Sequence, residues 1–315
     1  MSTYYIGYST DSEIRYRASS GGVGSTVIKY LLENKHFGTS MTFVFNKIAC
    51  RYEPKIIHDF ADYNNCGSIY QDTDTIPFIK NNLQNIRNGI VVTCMPCQVK
   101  PIRSILDRCN IKHFILSLCC SGQTTVEGTW LLYSLLGIRK EDVDNIQYRG
   151  NGWPSGIQIR LNSGEIIKRE NYSYPWNIIH QSLLFRPKRC LNCTIKTSPD
   201  ADISLADPWL KEYLQTDSIG NSVIICNEIG ESVIQQMINM HFLNLKTVDE
   251  SVYISSQLGT IQTKAQANRF KAYNRIVGRM SLDKSFYKKR VTSSDKLLRF
   301  HIRVLKFLHR FLAKS

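Results

Sequence analysis

Two short runs of apolar residues, each followed by cysteines, form the clearest pattern in the chain. Residues 89–93 (GIVVT) and 113–118 (HFILSL) are rich in β-branched and large apolar side chains, which is typical of buried strands. A cysteine turn follows each run, and apolar residues at helical spacing follow each turn. A right-handed βαβ unit would place both cysteine turns at the carboxyl edge of a parallel sheet, where open α/β sheets bind ligands.

The remaining pattern predicts an α/β protein with a mixed or mostly parallel sheet core. Residues 4–9 alternate weakly as a first strand, and 23–33 (VGSTVIKYLLE) carry apolar residues at helical spacing. The segments IQIRL and EIIKRE flank Asn162-Ser163-Gly164, which predicts an inserted β-hairpin. After residue 220, NSVIICNE is read as a strand and ESVIQQMINM as an amphipathic helix.

The end of the chain is strongly basic. Residues 284–315 contain ten Lys or Arg and one Asp, so they hold +9 of the net charge of +14. We expect one main domain over residues 1–280 and a basic amphipathic helical tail over 281–315, with the helix at Lys296–Lys314. Its apolar positions are Leu297, Val304, Leu308 and Phe311, and its basic positions are Arg299, Arg303, Lys306, Arg310 and Lys314. Such a helix either contacts an anionic membrane surface or packs its apolar stripe on the body.

Other features of the sequence limit the location and the partners. No stretch approaches the roughly 20 apolar residues of a membrane-spanning helix, and the amino terminus has no signal-peptide pattern. We therefore expect a cytoplasmic protein, peripheral to the inner face of the membrane if the tail binds lipid. No nucleic-acid-binding motif is recognisable and the excess basic residues are confined to the end, so nucleic acid is not an expected partner.

Six of the ten cysteines are grouped, which indicates metal or redox chemistry in a reducing compartment. They form two CxxC pairs, Cys94/Cys97 and Cys190/Cys193, and the doublet Cys119-Cys120. Paired thiolates bind iron–sulfur clusters and structural zinc alike. Zinc ribbons usually separate their pairs by about 15 to 20 residues, whereas Cys97 and Cys190 are 93 apart. The spacing favours a cofactor pocket, while zinc or no metal remains open.

A Ser/Gly loop before the helix at 23–33 is a second candidate site. Glycines allow the backbone to approach a phosphate closely, and the free N–H groups of a helix start, here residues 23–26, donate to it. An ordinary loop is the alternative.

Five motifs in a fixed order resemble the coenzyme F-420 hydrogenase/dehydrogenase beta-subunit family. They are Arg17 with Ser19-Ser20-Gly21-Gly22, Pro96-Cys97-Gln98, Cys120-Ser121-Gly122, Cys190 with Cys193, and the run Asp202–Trp209. A further run at residues 67–74 resembles the family's Gly-Ser-Lys-Tyr segment, with Ile69 in place of the lysine.

The resemblance implies an iron–sulfur flavoprotein oxidoreductase that passes electrons between a 4Fe–4S cluster, FAD and a substrate or carrier. It implies Cys97, Cys120, Cys190 and Cys193 as the cluster ligands. It also implies FAD contacts from Ser19, Ser20, Gly21, Gly22, Thr26, Ser68, Tyr70 and Gln98. The expected partner is a ferredoxin-like or deazaflavin carrier, and the chain can be part of an oligomer. Two alternatives are a non-catalytic electron-transfer subunit and a zinc-stabilised binding module.

Overall fold

The structure, a computed structural model, describes residues 2–214, 220–267 and 296–312. The strands are β1 Thr3–Ser9, β2 Thr39–Asn46, β3 Arg51–Ile57, β4 Ile90–Cys94, β5 His113–Leu118, β6 Val143–Gln147, β7 Ile157–Leu161, β8 Ile166–Arg169, β9 Ile203–Ala206, β10 Ser222–Cys226 and β11 Leu243–Thr247. The α-helices are α1 Ser12–Arg17, α2 Val23–Glu33, α3 Thr75–Asn81, α4 Pro96–Arg108, α5 Val126–Leu135, α6 Trp176–Gln181, α7 Lys188–Leu191, α8 Lys211–Leu214, α9 Glu228–Asn239, α10 Glu250–Ser256, α11 Leu258–Ala267 and a C-terminal helix Lys296–Leu312.

Eight of these strands form one mixed sheet in the order β11-β1-β10-β9-β5-β4-β2-β3. The three central pairings, β2 with β4, β4 with β5 and β5 with β9, are parallel, and the others are antiparallel. The mixed α/β class predicted from the sequence is therefore confirmed. Because β4 and β5 are parallel, the cysteine turns that follow them lie at the same edge of the sheet.

Apolar clusters cover the two faces of the large sheet. On one face, α2 and α9 pack against residues of β1, β5 and β10 around Val27, Ile224 and Ile234. On the other, α3 and α4 pack against β4 and β5 around Val92 and Ile102. Buried strands of this kind need apolar residues on both faces, which explains the near-continuous apolar runs in β4 and β5.

The segment between β5 and β9 forms an insertion with its own small sheet. Strands β6, β7 and β8 pair antiparallel in that order, and the predicted hairpin corresponds to β7 and β8. Its core includes Tyr148 and Ile159 together with Leu132 of α5 and Trp176 of α6. The insertion thus has Cys119 and Cys120 at its start, directly after β5, and Cys190 and Cys193 near its end, before β9.

The C-terminal helix packs against this insertion. Its Leu298 side chain is fully buried in the same apolar cluster, and Ile302 packs against that cluster from the edge. The Arg299 guanidinium lies 5.3 Å from the centroid of the Tyr174 ring. The predicted boundary between residues 280 and 281 lies outside the described residues. Within residues 2–214, 220–267 and 296–312, no helix has both the length and the apolar character needed to cross a bilayer.

Candidate functional site

A cavity of about 250 Å³ lies where β4, β5 and β9 end. The residues at these strand ends that line it include Thr93, Leu118 and Ala206. The Ser/Gly loop, the start of α2 and residues 67–70 form the rest of its wall. This is the carboxyl-edge location at which open α/β sheets bind their ligands.

The amino terminus of α2 opens directly onto this cavity. Gly22 precedes the helix with a φ of 77°, and no side chain caps the first turn. Val23, Gly24 and Ser25, in the first helical turn, line the cavity. A left-handed backbone at residue 22 suits glycine. An uncapped helix amino terminus on a cavity is suited to binding an anionic group such as a phosphate.

The Ser/Gly loop is held in place by hydrogen bonds that use its own hydroxyls. Ser19 Oγ accepts a hydrogen bond of 2.5 Å from the N–H of Ser68, and Ser20 Oγ donates to the carbonyl of Asn221. Both serines line the cavity, as do Gly22, Ser68 and Tyr70. Five of the eight residues predicted to contact FAD therefore share this cavity.

The other three predicted residues have different positions. Gly21 lies against backbone: a Cβ there would be 2.6 Å from the carbonyl oxygen of Gly7. Thr26 is buried behind the helix start, where its hydroxyl donates to the Gly22 carbonyl at 3.0 Å. Gln98 caps α4, with its Oε1 accepting from the N–H of Met95 at 3.0 Å, and it lines the second cavity described below. The structure therefore does not bring Gly21, Thr26 and Gln98 to the large cavity.

Arg149 fixes the floor of the large cavity from a buried position. Its guanidinium forms a 2.6 Å ion pair with Asp207 and donates to the carbonyl of Ser19, also at 2.6 Å. It lies between the Trp153 and Trp209 rings, 5.4 and 5.5 Å from their centroids. Burial works to lower the pKa of Arg149, but Asp207 outweighs it and keeps the guanidinium charged. The Nε atom is buried without a hydrogen-bond partner among the described residues.

Asp202, at the other end of the same sequence run, has a structural role. Its carboxylate is buried and accepts hydrogen bonds from the N–H of Ile115 at 2.7 Å and from Arg103 at 3.0 Å. These contacts join the start of β9 to β5 and α4. Asp207 lines the cavity, whereas Asp202 does not.

Residues 67–70 form another part of the wall of the large cavity. Gly67 has a φ of 66°, and a Cβ there would be 2.2 Å from the Arg149 carbonyl oxygen, so the position requires glycine. Tyr70 stacks on Trp176 with ring centroids 6.0 Å apart. The Gln123 amide donates to the carbonyls of Ile69 and Gln71 at 3.2 and 2.7 Å. This wall is thereby attached to the turn after β5.

A second, smaller cavity is lined by four cysteines that come from three separate segments. They are Cys97 at the start of α4, Cys120 after β5, and Cys190 and Cys193 at α7. Their near neighbours lie elsewhere. Cys94 is 3% exposed within the apolar cluster under α4. Cys119 lines the large cavity, where the Tyr253 hydroxyl is 3.9 Å from its sulfur.

The environment of the four thiols combines burial with positive charge. Burial raises the pKa values of Cys97 and Cys120, and the neighbouring thiols raise that of Cys97 further. Arg189 lowers the pKa of Cys97, and Lys264 lowers that of Cys120. In the described part of the chain all ten cysteines are free, and no three Cys, His, Asp or Glu side chains converge on a single point suited to one metal ion. What the four thiols share is the cavity.

The two cavities are neighbours with a common wall. Met95, Cys120 and Gln123 line both of them. Cys120 follows β5, and Gln123 is in the same turn. A group bound by the four cysteines and a ligand in the large cavity would therefore be separated by a few side chains only.

The comparison with known proteins agrees with this architecture. A family model described as the amino-terminal part of the beta subunit of coenzyme F420 hydrogenase/dehydrogenase matches residues 4–78, and the model of its carboxy-terminal part matches residues 88–251. The chain belongs to this beta-subunit family. The family resemblance predicted from the motifs is confirmed, and the chain is an oxidoreductase.

Two relatives show how far the similarity of this family member extends. It is 24% identical over 289 residues to the coenzyme F420 hydrogenase subunit beta of Methanococcus voltae, covering 87% of this chain and 93% of that protein. It also shares its fold, at a TM-score of 0.62 and 15% identity, with a chain of the F420-reducing [NiFe] hydrogenase complex from Methanosarcina barkeri. That match covers 84% of this chain and 90% of the other.

Sequence reasoning missed the contribution of α11 to both cavities in this family member. Gln257, just before α11, and Thr260 line the large cavity, and Lys264 lines the small one. Their spacing places them on one helical face. The face is buried yet polar, so hydrophobic periodicity gave no signal for it. The sign of this face in the sequence was the polar series Gln257, Thr260 and Lys264, at positions i, i+3 and i+7.

Proposed function

We propose that the chain is an iron–sulfur flavoprotein that passes electrons between a 4Fe–4S cluster, FAD and an external carrier. Cys97, Cys120, Cys190 and Cys193 hold the cluster in this proposal, and FAD occupies the large cavity. The observation that carries it is the common wall, in which Cys120 and Gln123 line both cavities. Family membership and the cysteine donor set support it.

The residues present fit both groups. Four thiols around one cavity match the ligand set of a 4Fe–4S cluster. The uncapped start of α2 and the buried Arg149 guanidinium suit the pyrophosphate of FAD. Bound in these cavities, the flavin would supply two-electron chemistry and the cluster one-electron transfer. The chain's own residues bind and orient these groups and exclude water.

Each wall has a separate task in this scheme. Cys97, in the first turn of α4, and Cys120, in the turn after β5, follow two adjacent parallel strands, so the sheet brings their segments together. Arg149 holds the Ser/Gly loop through the Ser19 carbonyl, and Gln123 holds residues 69–71. The aromatic ring of Tyr70 presents an apolar surface to a ligand.

Anaerobic purification followed by metal, sulfide and flavin analysis tests this function. We expect a brown protein with equal amounts of iron and acid-labile sulfide, bound FAD and both absorbance signatures. Zinc without acid-labile sulfide or flavin would instead identify a zinc-stabilised binding module and would refute the proposal.

A second candidate is a non-catalytic electron-transfer subunit. The specific observation in its favour is that the relative from Methanococcus voltae is named a subunit of a hydrogenase. Reduction of a deazaflavin by the isolated, reconstituted chain with a chemical electron donor would oppose this candidate. Cofactor-loaded protein that is reduced but turns over only with a partner subunit would support it. The ferredoxin-like or deazaflavin carrier remains a proposal in either case.

Membrane-surface contact through the C-terminal helix also remains a prediction. Arg303 and Lys306 are exposed on this helix and provide positive charge for anionic lipid. We expect the double variant Arg303→Glu/Lys306→Glu to bind vesicles of phosphatidylserine and phosphatidylcholine less than the natural chain does in co-sedimentation. Charge reversal of the exposed Lys100 on α4 is the control. Equal binding by all three proteins would rule the contact out.

A further inference from the structure

Helix α11 places a buried lysine at the smaller of the two cavities, which we call the cysteine cavity. Lys264 is only 4% exposed, and it lines the cavity together with Cys97, Cys120, Cys190 and Cys193. The residue one turn before it, Thr260, faces the adjoining large cavity. The helix therefore covers both sites, and Lys264 is its contribution to the four thiols.

A buried ammonium group needs a negative partner, because removing its charge from water is costly. The described ion pairs include none that involves Lys264. The carboxylate lining the same cavity is Asp72, whose Oδ1 accepts a 2.8 Å hydrogen bond from the N–H of Val126. Among the described residues that line this cavity, the other groups that can become negative are the four cysteines.

The four thiols are neutral only while they keep their protons. Cluster binding requires them as thiolates. Lys264 places a positive charge at the cavity that Cys120 lines. A second cation, Arg186, lies behind the same turn, donating to the Ser121 carbonyl at 2.9 Å. The cavity is thus built to hold negative charge.

We propose that Lys264 is a positioning residue that sets the reduction potential of the cluster. The inference rests on the proposed function and deepens it. When one electron passes to the cluster from the reduced flavin of the adjoining cavity, the cluster and its four thiolates become more negative by one charge, and no bond is broken. The fixed positive charge of Lys264 stabilises that reduced state in a site where burial weakens screening by water.

The test is an EPR-monitored redox titration of the full, cluster-loaded chain with dithionite. Lys264→Met and Lys264→Gln remove the charge, while Lys264→Arg keeps it. We expect both neutral variants to show at least a tenfold smaller equilibrium constant for reduction, equivalent to about 59 mV toward more negative potential for one electron. Lys264→Arg should remain close to the natural chain. Iron and sulfide content is measured for every sample.

Lys100→Met serves as the matched control. Lys100 follows Cys97 by three residues on α4, but its side chain is 79% exposed, so water screens its charge. We expect less change in potential than for Lys264→Met. Equal potentials in the natural chain and the neutral Lys264 variants, with iron content unchanged, would overturn the proposal.

Loss of iron separates the remaining outcomes. If only the neutral variants lose the cluster while Lys264→Arg retains it, the site requires the positive charge of residue 264 to hold the cluster. Loss of iron in all three variants, including Lys264→Arg, would contradict the electrostatic role. The shape of the side chain, and not its charge, would then determine cluster binding. A natural chain that binds no iron or sulfide would refute the proposed function itself.

Discussion

Cys94 and Cys97 are one turn of chain apart, yet they lie in different environments. Cys94 is the last residue of β4 and is buried in the apolar cluster under α4. Cys97 is in the first turn of α4 and lines the cysteine cavity. We expect Cys97→Ser to abolish the cluster and Cys94→Ser to preserve it. Iron and sulfide analysis of anaerobically purified variants measures this.

The matched pair at the second turn extends the same test. Cys120 lines the cysteine cavity, while Cys119 lines only the large one. Cys120→Ser should lose iron and Cys119→Ser should keep it. Cluster loss on replacing Cys94 or Cys119, with retention in the Cys97 and Cys120 variants, would show that the wrong sulfurs had been chosen.

The buried Cys94 thiol also makes stability depend on pH. Burial, followed by the neighbouring Cys97, raises the pKa of Cys94 to about 12 in the folded chain, compared with 9.0 ordinarily. The folded state therefore keeps a proton that the unfolded state releases. This contribution is complete below about pH 9 and is lost as pH rises toward 12.

Urea unfolding of the cluster-free chain at pH 8 and pH 10.5 measures this contribution. We expect Cys94→Ala to lose less stability than the natural chain between the two values. Cys109→Ala, at an exposed position, is the control and should follow the natural chain. If Cys94→Ala lost as much stability between pH 8 and pH 10.5 as the natural chain does, the pH dependence would not come from Cys94.

The sequence predicted the site in part, and individual residues explain the limits. The two cysteine turns were recognisable because each follows a buried strand, and the family resemblance then selected Cys97 and Cys120 within them. The ion pair that holds Arg149 was not predictable, because its partner Asp207 is 58 residues away. Gln98 follows Cys97 directly, but helix capping turns its side chain back to Met95.

Among the helices, the C-terminal one joins the body through a narrow contact. Leu298 is fully buried against the insertion, whereas Phe300, two residues later, is 63% exposed. Replacing a buried leucine by alanine removes the transfer free energy of the deleted methyl and methylene groups and leaves a cavity. We therefore expect Leu298→Ala to reduce the free energy of unfolding by about 3 kcal/mol. Chemical denaturation measures this value.

Phe300→Ala is the control for that helix. Its side chain is largely in water, so the expected change lies within about 0.5 kcal/mol. Similar losses from both variants would indicate that the helix packs in another orientation. Of the four apolar positions predicted on this helix, the structure describes the side chain of Val304, which is partly buried. The side chains of the other three lie outside the described residues: Leu297, Leu308 and Phe311.

Elements with a strong period were the easiest to predict. Helix α2 spans the predicted residues 23–33, and β5 spans 113–118. Helix α11 was missed, since its inward face consists of polar residues, which give no hydrophobic period. Local pattern also gave no indication that β1 pairs antiparallel with both β10 and β11, because those partners are more than 200 residues away.

At the scale of the whole molecule, the insertion between β5 and β9 has a cysteine on either side. Cys120 precedes it, and Cys190 and Cys193 follow its sheet. A cluster joining Cys120 to Cys190 would close a loop of 70 residues. The loop-closure model gives such a link about 4 kcal/mol of stabilisation at 25 °C.

Hydrogen exchange with and without the cluster tests this link. We expect removal of iron by a chelator to increase exchange in residues 121–189 far more than in β1 and β10. These two strands are the internal control, because they pair with each other outside residues 121–189 and contain none of the four proposed ligands. A uniform increase across the chain, or none, would show that the cluster does not restrain the insertion.

The distribution of the four cysteines along the chain also orders the events of synthesis. Cys97 and Cys120 leave the ribosome with the central strands, and the whole insertion must follow before Cys190 and Cys193 are available. Lys264 and the Leu298 contact emerge later still. In the proposed function, iron can therefore reach a complete ligand set only late in translation or after release. Until then, the first two thiols depend on the cell to keep them reduced.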